Sequence, residues 1–335
     1  MDKTKILRNV LRIVLPLLLG GLILWWMYRD FDWDSLWQAL NEGMDWNWMW
    51  FSLPFGVLAQ LFRALRWKQT LTPLGEHPRL STCIHSIFLS YASSLVVPRI
   101  GEVLRCGVLK RYDDVSFAKS LGTVVTERIV DTVLMLLFSV VIIFSQMKLF
   151  TAFLSQTGLS FEDFITRFST AGYWVTATCL LVLLFFIYFL ARRLAWFSKT
   201  KKVFFNMKEG VFSLRGVTNI PLYIIYSIGI WVAYFLHFYL TFFCFEGTEG
   251  LNLSAALVAF VVGSFAVIVP TPNGAGPWHF AVKTVLVLYG ISESVGVVFV
   301  LIVHSIQTLL VVLLGVYATV GLACTRQLGK ETLRK

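Results

Sequence analysis

Long apolar runs, two of them broken by proline and glycine, most constrain how this chain can fold. A membrane-spanning helix needs about 20 residues, and six runs meet that length, at residues 10–28, 46–62, 120–146, 171–191, 221–245 and 296–323. Two further apolar segments, 80–97 and 253–290, contain or adjoin a break. Charged residues make up 14% of the chain, against about 25% in soluble domains. The sequence therefore predicts an all-α polytopic membrane protein.

The two breaks share a composition that ends helices. Proline removes a backbone donor and glycine permits positive φ, and irregular backbone at membrane depth needs protein or a water-filled cavity around it. We therefore expect the two breaks to face each other and to form the two opposite ends of one functional site. The residues assigned to the tips are Pro98, Gly101, Pro270, Pro272, Asn273, Gly274, Gly276 and, just after the second break, His279.

Basic residues gather in alternate loops, as the positive-inside rule predicts. The loop 29–45 is acidic, whereas the N-terminus and the loops at 63–79 and 192–215 are basic. If the segment 80–97 crossed fully, the basic stretch 99–119 would lie outside. A hairpin that re-enters and returns keeps that stretch inside and leaves both termini cytoplasmic.

The same reasoning makes 253–290 a hairpin that enters from the outer side. The predicted fold is a single membrane domain, 1–335, with six full spans and two opposed re-entrant hairpins. Its halves, 1–147 and 171–335, would be an inverted repeat joined by an outer loop, 148–170, which is the plan of many secondary transporters. Eight or more full spans remain the alternative. The first run follows a basic start but lacks a small-residue cleavage site, so we expect a retained span and not a signal peptide.

Arg99, Glu102 and Arg105 follow the first proline at intervals of three residues. If a helix restarts there, the three side chains share roughly one face. Two arginines around one glutamate leave a net positive site that can hold a phosphate, and the helix N-terminus adds its dipole. This pattern suits an anionic lipid head group. The alternative is an interfacial salt-bridge cluster that anchors the hairpin.

Two more charged groups occur next to apolar runs. Glu127, Arg128 and Asp131 lie inside the run that ends at 146, where ionisable residues are costly and often functional. An earlier helix start, which would put them at the interface, is the alternative. Arg63 and Arg66 end the second run and are also candidates, although snorkelling to the interface would explain them without a function.

Several functional classes have no support in the sequence. The net charge of +10 lies in loops between apolar runs, which argues against a nucleic-acid partner. No catalytic motif, nucleotide loop or metal-ligand spacing is present, and the five cysteines are scattered. We therefore predict no metal and no cofactor. Three histidines, at 85, 237 and 304, occur singly in apolar runs and are interpreted as core residues.

Together these motifs resemble a known family, the transmembrane domain of lysylphosphatidylglycerol synthases and their stand-alone flippase-like relatives. The resemblance covers most of the chain and rests on the elements Arg63-x-x-Arg66-Trp67, Pro98-Arg99-Ile100-Gly101-Glu102-x-x-Arg105, Glu127-Arg128-x-x-Asp131 and Pro270-Thr271-Pro272-Asn273-Gly274-Ala275-Gly276. Motif by motif, it implies that six charged residues line a cavity: Arg99, Glu102, Arg105, Glu127, Arg128 and Asp131. In the family the last element usually has glycine where this chain has Asn273 and glutamate where it has His279.

The resemblance also bears on the activity. Two-domain members carry a soluble aminoacyl-transferase domain after the membrane part, and this chain ends shortly after its last predicted span. We therefore expect the chain to correspond to the part of such proteins that moves lipid, not the part that synthesises it. It would be a flippase-like translocase in a bacterial-type cytoplasmic membrane, and its substrate would be an anionic phospholipid or glycolipid. The alternatives are a membrane-embedded enzyme acting on a lipid or polyprenyl-phosphate head group, and a non-transporting partner of a lipid synthase. Each of these functions is compatible with a homo-oligomer.

Overall fold

The computed structural model describes residues 44–146 and 198–332, together with residues 18, 21–25, 27–29 and 37. Within these ranges the chain is helical, apart from turns and one isolated antiparallel β-bridge between Met44 and Phe245. The all-α prediction is therefore confirmed. The predicted span 171–191, the loop 148–170 and most of the span 10–28 lie outside the described residues.

The longer helices are numbered in chain order. They are α1 (Trp46–Leu71), α2 (Leu80–Ser94), α3 (Ile100–Asp113), α4 (Phe117–Ser145), α5 (Ser198–Val211), α6 (Ile220–Tyr239), α7 (Leu253–Ala266), α8 (Pro277–Leu288) and α9 (Glu293–Thr332).

Among the described residues, two segments are long enough and apolar enough to cross a membrane, by length and composition. They are Ile220–Cys244, which is α6 with a short 3-10 extension, and Glu293–Thr325 within α9. They coincide with the predicted spans 221–245 and 296–323. The predicted spans 46–62 and 120–146 form α1 and α4, which are 26 and 29 residues long. The count of six spans stays a prediction.

The first break separates α2 from α3. The helix α2 ends at Ser94, ahead of Pro98, and α3 begins after Arg99, whose φ of 63° is left-handed. The two helices pack against each other as a hairpin. Their close approach needs glycine at position 101, because a Cβ there would collide with the Ser90 backbone carbonyl.

The second break separates α7 from α8 and contains more left-handed backbone. Asn273, Gly274 and Gly276 have φ values of 52°, 75° and 90°. Pro277 then opens α8 at the first helical position, where its missing N–H is not needed. These helices also pack together as a hairpin, so both broken apolar segments have the same helix-turn-helix form.

Each hairpin lies on its own hydrophobic core. Around the first, Trp67, Cys106 and Leu109 are fully buried. Around the second, the rings of Phe242 and Phe299 pack in a tilted arrangement within a larger aromatic cluster. The helix α9 joins the two parts, because it packs against α8 and also along α2. The tips of the two hairpins are thereby brought to the same region.

Candidate functional site

The tips of the two hairpins are in direct contact. Arg99, at the start of α3, donates a hydrogen bond from Nη2 to the backbone carbonyl of Ile268, with a distance of 2.9 Å. Ile268 lies in the break between α7 and α8. The two breaks therefore lie next to each other, and their role as one functional site stays a prediction.

A cavity of about 670 Å³ lies beside this contact. Leu95 contributes from the first tip and Pro272, Asn273 and Ala275 from the second, while the remaining wall comes from α9, α8 and the described residues near 25. Its full lining is Leu24, Trp25, Tyr28, Leu95, Pro272, Asn273, Ala275, His279, Leu301, His304, Ser305 and Thr308. These side chains are apolar or polar and uncharged.

Two histidines hold the second tip in place. The Gly276 N–H donates to Nδ1 of His279 (3.3 Å), and Nε2 of His304 contacts the Asn273 carbonyl (3.1 Å). The two imidazole rings are 4.4 Å apart between centroids. The Asn273 amide also donates to the Thr308 hydroxyl (2.8 Å), which ties the tip to α9.

His304 is partly buried and contacts the Asn273 carbonyl, which agrees with its interpretation as a satisfied core residue. It also lines the cavity, and its position in an otherwise apolar run gave no sign of this. His237 is buried and bonds to the Ser52 carbonyl (2.9 Å), as expected of a core histidine.

Asp131 is the centre of a separate buried ion-pair cluster. One carboxylate oxygen accepts from Nη1 of Arg63 (2.8 Å) and the other from Nη2 of Arg66 (2.7 Å). The two arginines are 5% and 0% exposed. The alternative in which they snorkel to an interface is therefore wrong, because snorkelling keeps the charged group in water.

Glu127 is the second acid of this cluster and is also fully buried. It accepts from Nη2 of Arg105 (2.5 Å), and Nε of Arg66 lies 3.9 Å from its other oxygen. The Arg105 guanidinium group lies over the Trp67 ring, 4.4 Å from its centroid. The Trp67 indole in turn donates to the Thr123 hydroxyl (2.8 Å). An aromatic face and a carboxylate together stabilise this buried cation.

The remaining charged candidates are more exposed. Nε of Arg128 lies 3.3 Å from a Glu102 carboxylate oxygen, with the two side chains 45% and 37% exposed. The expectation that Arg99, Glu102 and Arg105 share one face around a common phosphate is wrong. Each has a different partner, and the left-handed Arg99 precedes the helix instead of continuing it.

The buried cluster carries more positive than negative charge. Three guanidinium groups face two carboxylates, and adding the pair of Arg128 and Glu102 leaves the excess at one positive charge. Nε and Nη1 of Arg105 are buried and have no hydrogen-bond partner among the residues that the structure describes. Buried donors normally find acceptors, so this cluster could accept a further anionic oxygen. Among the described residues, no group of three or more His, Cys, Asp or Glu is arranged to hold a metal ion.

Comparison with models of known protein families gives a match. The model of a family described as the lysylphosphatidylglycerol synthase TM region matches residues 13–315, which include both tips, the cavity and the buried cluster. No curated protein and no solved structure shows significant similarity to the chain. The match covers most of the chain and agrees with the long apolar helices, which makes this a membrane protein related to lipid handling. The chain belongs to the family of the lysylphosphatidylglycerol synthase transmembrane region.

Proposed function

We propose that the protein is a lipid translocase that moves an anionic phospholipid or glycolipid between the leaflets of a membrane. The observation that carries this proposal is the contact of Arg99 with Ile268, which joins two broken helices beside a cavity of about 670 Å³. Broken helices that meet around a cavity are the usual substrate sites of secondary transporters. The acyl chains would stay in the bilayer while the head group passes between the tips.

The proposed arrangement in the membrane has six spans and two re-entrant hairpins, with both termini on the cytoplasmic side of a bacterial-type inner membrane. Support comes from the similar form of the two hairpins and from the basic residues of α3. Lys110 and Arg111 in its last turn are exposed, as expected for residues at the inner surface. In this arrangement the tip 270–277 would gate the outer side.

The charged residues have two distinct proposed roles. Arg99 is exposed at the junction of the tips and would contact the lipid phosphate as the head group passes. A buried set of ion pairs would support the first hairpin, and it consists of Arg63, Arg66, Arg105, Glu127 and Asp131. Glu102 and Arg128 would complete its exposed edge.

This arrangement favours transport over the enzymatic alternative. An enzyme that uses Glu127 and Asp131 to bind Mg²⁺ needs carboxylates open to the ion. Both carboxylates are already bonded to arginines, at 2.5 Å for Glu127 and 2.7 and 2.8 Å for Asp131. Binding a metal there would require breaking buried ion pairs.

The experiment is reconstitution of the purified full chain into liposomes that contain a trace of fluorescent phosphatidylglycerol. Dithionite added outside destroys only outer-leaflet fluorescence, so transport raises the destroyed fraction above that of protein-free liposomes. We expect this increase. Turnover of the lipid into a new product would favour the enzyme, and neither transport nor turnover would favour a non-transporting partner of a lipid synthase.

A further inference from the structure

The described residues that line the cavity offer hydrogen bonds. Their polar side chains are Tyr28, Asn273, His279, His304, Ser305 and Thr308, and none of the described lining residues is Asp, Glu, Lys or Arg. Groups of this kind recognise a ligand by hydrogen bonds and do not need an ion pair. The lining therefore suits head groups that carry uncharged donors and acceptors.

The hydrogen bonds of the second tip determine which ring nitrogens of His279 and His304 can still donate or accept a hydrogen bond. Nδ1 of His279 accepts from the Gly276 N–H, so the neutral ring carries its proton on Nε2. Nε2 of His304 contacts a carbonyl oxygen, which only accepts, so this ring carries its proton on Nε2 and leaves Nδ1 as an acceptor. The pair thus supplies one further donor and one further acceptor within a short distance.

Hydroxyl groups and aromatic rings complete the lining. Ser305 on α9 is exposed to the cavity, and its hydroxyl makes no hydrogen bond within the described part of the chain. Trp25 and Tyr28 add aromatic rings to the same wall. A ligand that carries several hydroxyl groups both donates and accepts and also presents C–H faces to such rings, so it matches this lining.

We propose that this cavity selects lipids whose head group ends in an uncharged polyol or glycosyl moiety. The inference rests on the proposed function, because the cavity is taken as the path of the head group. The lipid phosphate would be contacted by Arg99 at the junction of the tips, and the hydroxyl-bearing part would occupy the cavity.

Binding can be measured without transport. Native mass spectrometry of the detergent-purified full chain would compare phosphatidylinositol, phosphatidylglycerol, phosphatidic acid and phosphatidylcholine at equal concentrations. Phosphatidic acid keeps the phosphate but lacks the polyol, so it separates recognition of charge from recognition of hydroxyl groups. Two or more hydrogen bonds to the polyol should make phosphatidylinositol and phosphatidylglycerol bind about tenfold more tightly than the other two lipids.

A matched pair of variants on α9 tests the cavity itself. Ser305→Ala removes an exposed hydroxyl in the lining and should reduce the preference for phosphatidylinositol over phosphatidic acid by about fivefold. Thr319→Val removes a hydroxyl from the same helix outside the cavity, where it bonds only to the Gly315 carbonyl, and should leave the preference unchanged.

The results separate this inference from the proposed function. Equal binding of phosphatidylinositol and phosphatidic acid, or tighter binding of phosphatidylcholine, would overturn the polyol selectivity whether or not the protein transports lipid. A clear polyol preference in a protein that moves no lipid would leave the selectivity standing and overturn the translocase. A preference that survives Ser305→Ala unchanged, or that is lost in Thr319→Val, would place the site elsewhere and also overturn the inference.

Discussion

Arg99 and Ile268 are 169 residues apart in the chain, yet the Arg99 guanidinium group donates a hydrogen bond to the Ile268 carbonyl across 2.9 Å. Both residues lie where an apolar helix is interrupted. Arg99 also has the left-handed backbone that non-glycine residues adopt at a cost of about 1–2 kcal/mol. The contact fixes the relative position of two irregular segments, and the cavity beside it depends on both.

Asp131→Asn should strongly destabilise the protein. Both carboxylate oxygens bond to buried arginines, so removing the charge leaves two guanidinium groups without their main counter-ion. We expect the free energy of unfolding to fall by about 3–5 kcal/mol, as measured by denaturant titration in mixed micelles.

Asp114→Asn is the matched control for this substitution. Its side chain is 93% exposed and pairs with Lys110 at 3.2 Å, and exposed pairs contribute less than about 1 kcal/mol. Asn also tolerates the left-handed backbone at this position. Equal losses for the two variants would mean that the Asp131 cluster adds no more than a surface ion pair.

Gly101→Ala and Gly107→Ala should have opposite effects, although both lie in α3. A Cβ at position 101 would collide with the Ser90 carbonyl of α2, whereas one at position 107 would meet nothing within 4 Å. We expect Gly101→Ala to cost at least about 3 kcal/mol of unfolding free energy. Gly107→Ala should gain up to about 1 kcal/mol from helix propensity.

Thermal unfolding of the two glycine variants in the same detergent would check this prediction. A Gly101→Ala protein as stable as the Gly107→Ala protein would contradict the close packing of α2 on α3.

Arg105 and Glu127 should be energetically coupled. Their ion pair is buried and has a distance of 2.5 Å. A double-mutant cycle with Arg105→Met and Glu127→Gln should give a coupling energy of about 2–3 kcal/mol. The same cycle on the exposed pair Lys110 and Asp114 should give about 0.5 kcal/mol or less. Additive effects at Arg105 and Glu127 would contradict the direct pairing.

The sequence located both breaks because their cause is local. Proline and glycine act on the backbone at or next to their own position, and the helices stop at Ser94 and Ala266, just before Pro98 and Pro270. The same local reasoning fails at Arg99, because nothing in the motif indicates a left-handed residue there. Helical spacing carried through Arg99 predicts one shared face for Arg99, Glu102 and Arg105, which the structure does not show.

The ion-pair partners could not be predicted from spacing. Asp131 bonds to Arg63 and Arg66, which precede it by 68 and 65 residues, and helical spacing rules cover neighbours within one helix only. The resemblance to a family implies that Arg105, Glu127 and Asp131 line a cavity. The structure buries all three and leaves uncharged residues such as His304 to line the cavity.

The most direct test of the translocase is the liposome assay with two matched arginine variants. Arg99→Gln removes the exposed charge at the junction of the tips, and Arg111→Gln removes an exposed charge from the other end of α3. Loss of a charge-assisted contact with phosphate should slow phosphatidylglycerol transport at least about tenfold in the Arg99 variant. The Arg111 variant should transport like wild type. If folded Arg99→Gln protein transports at the wild-type rate, or if wild type transports no lipid, lipid movement between the two tips is contradicted.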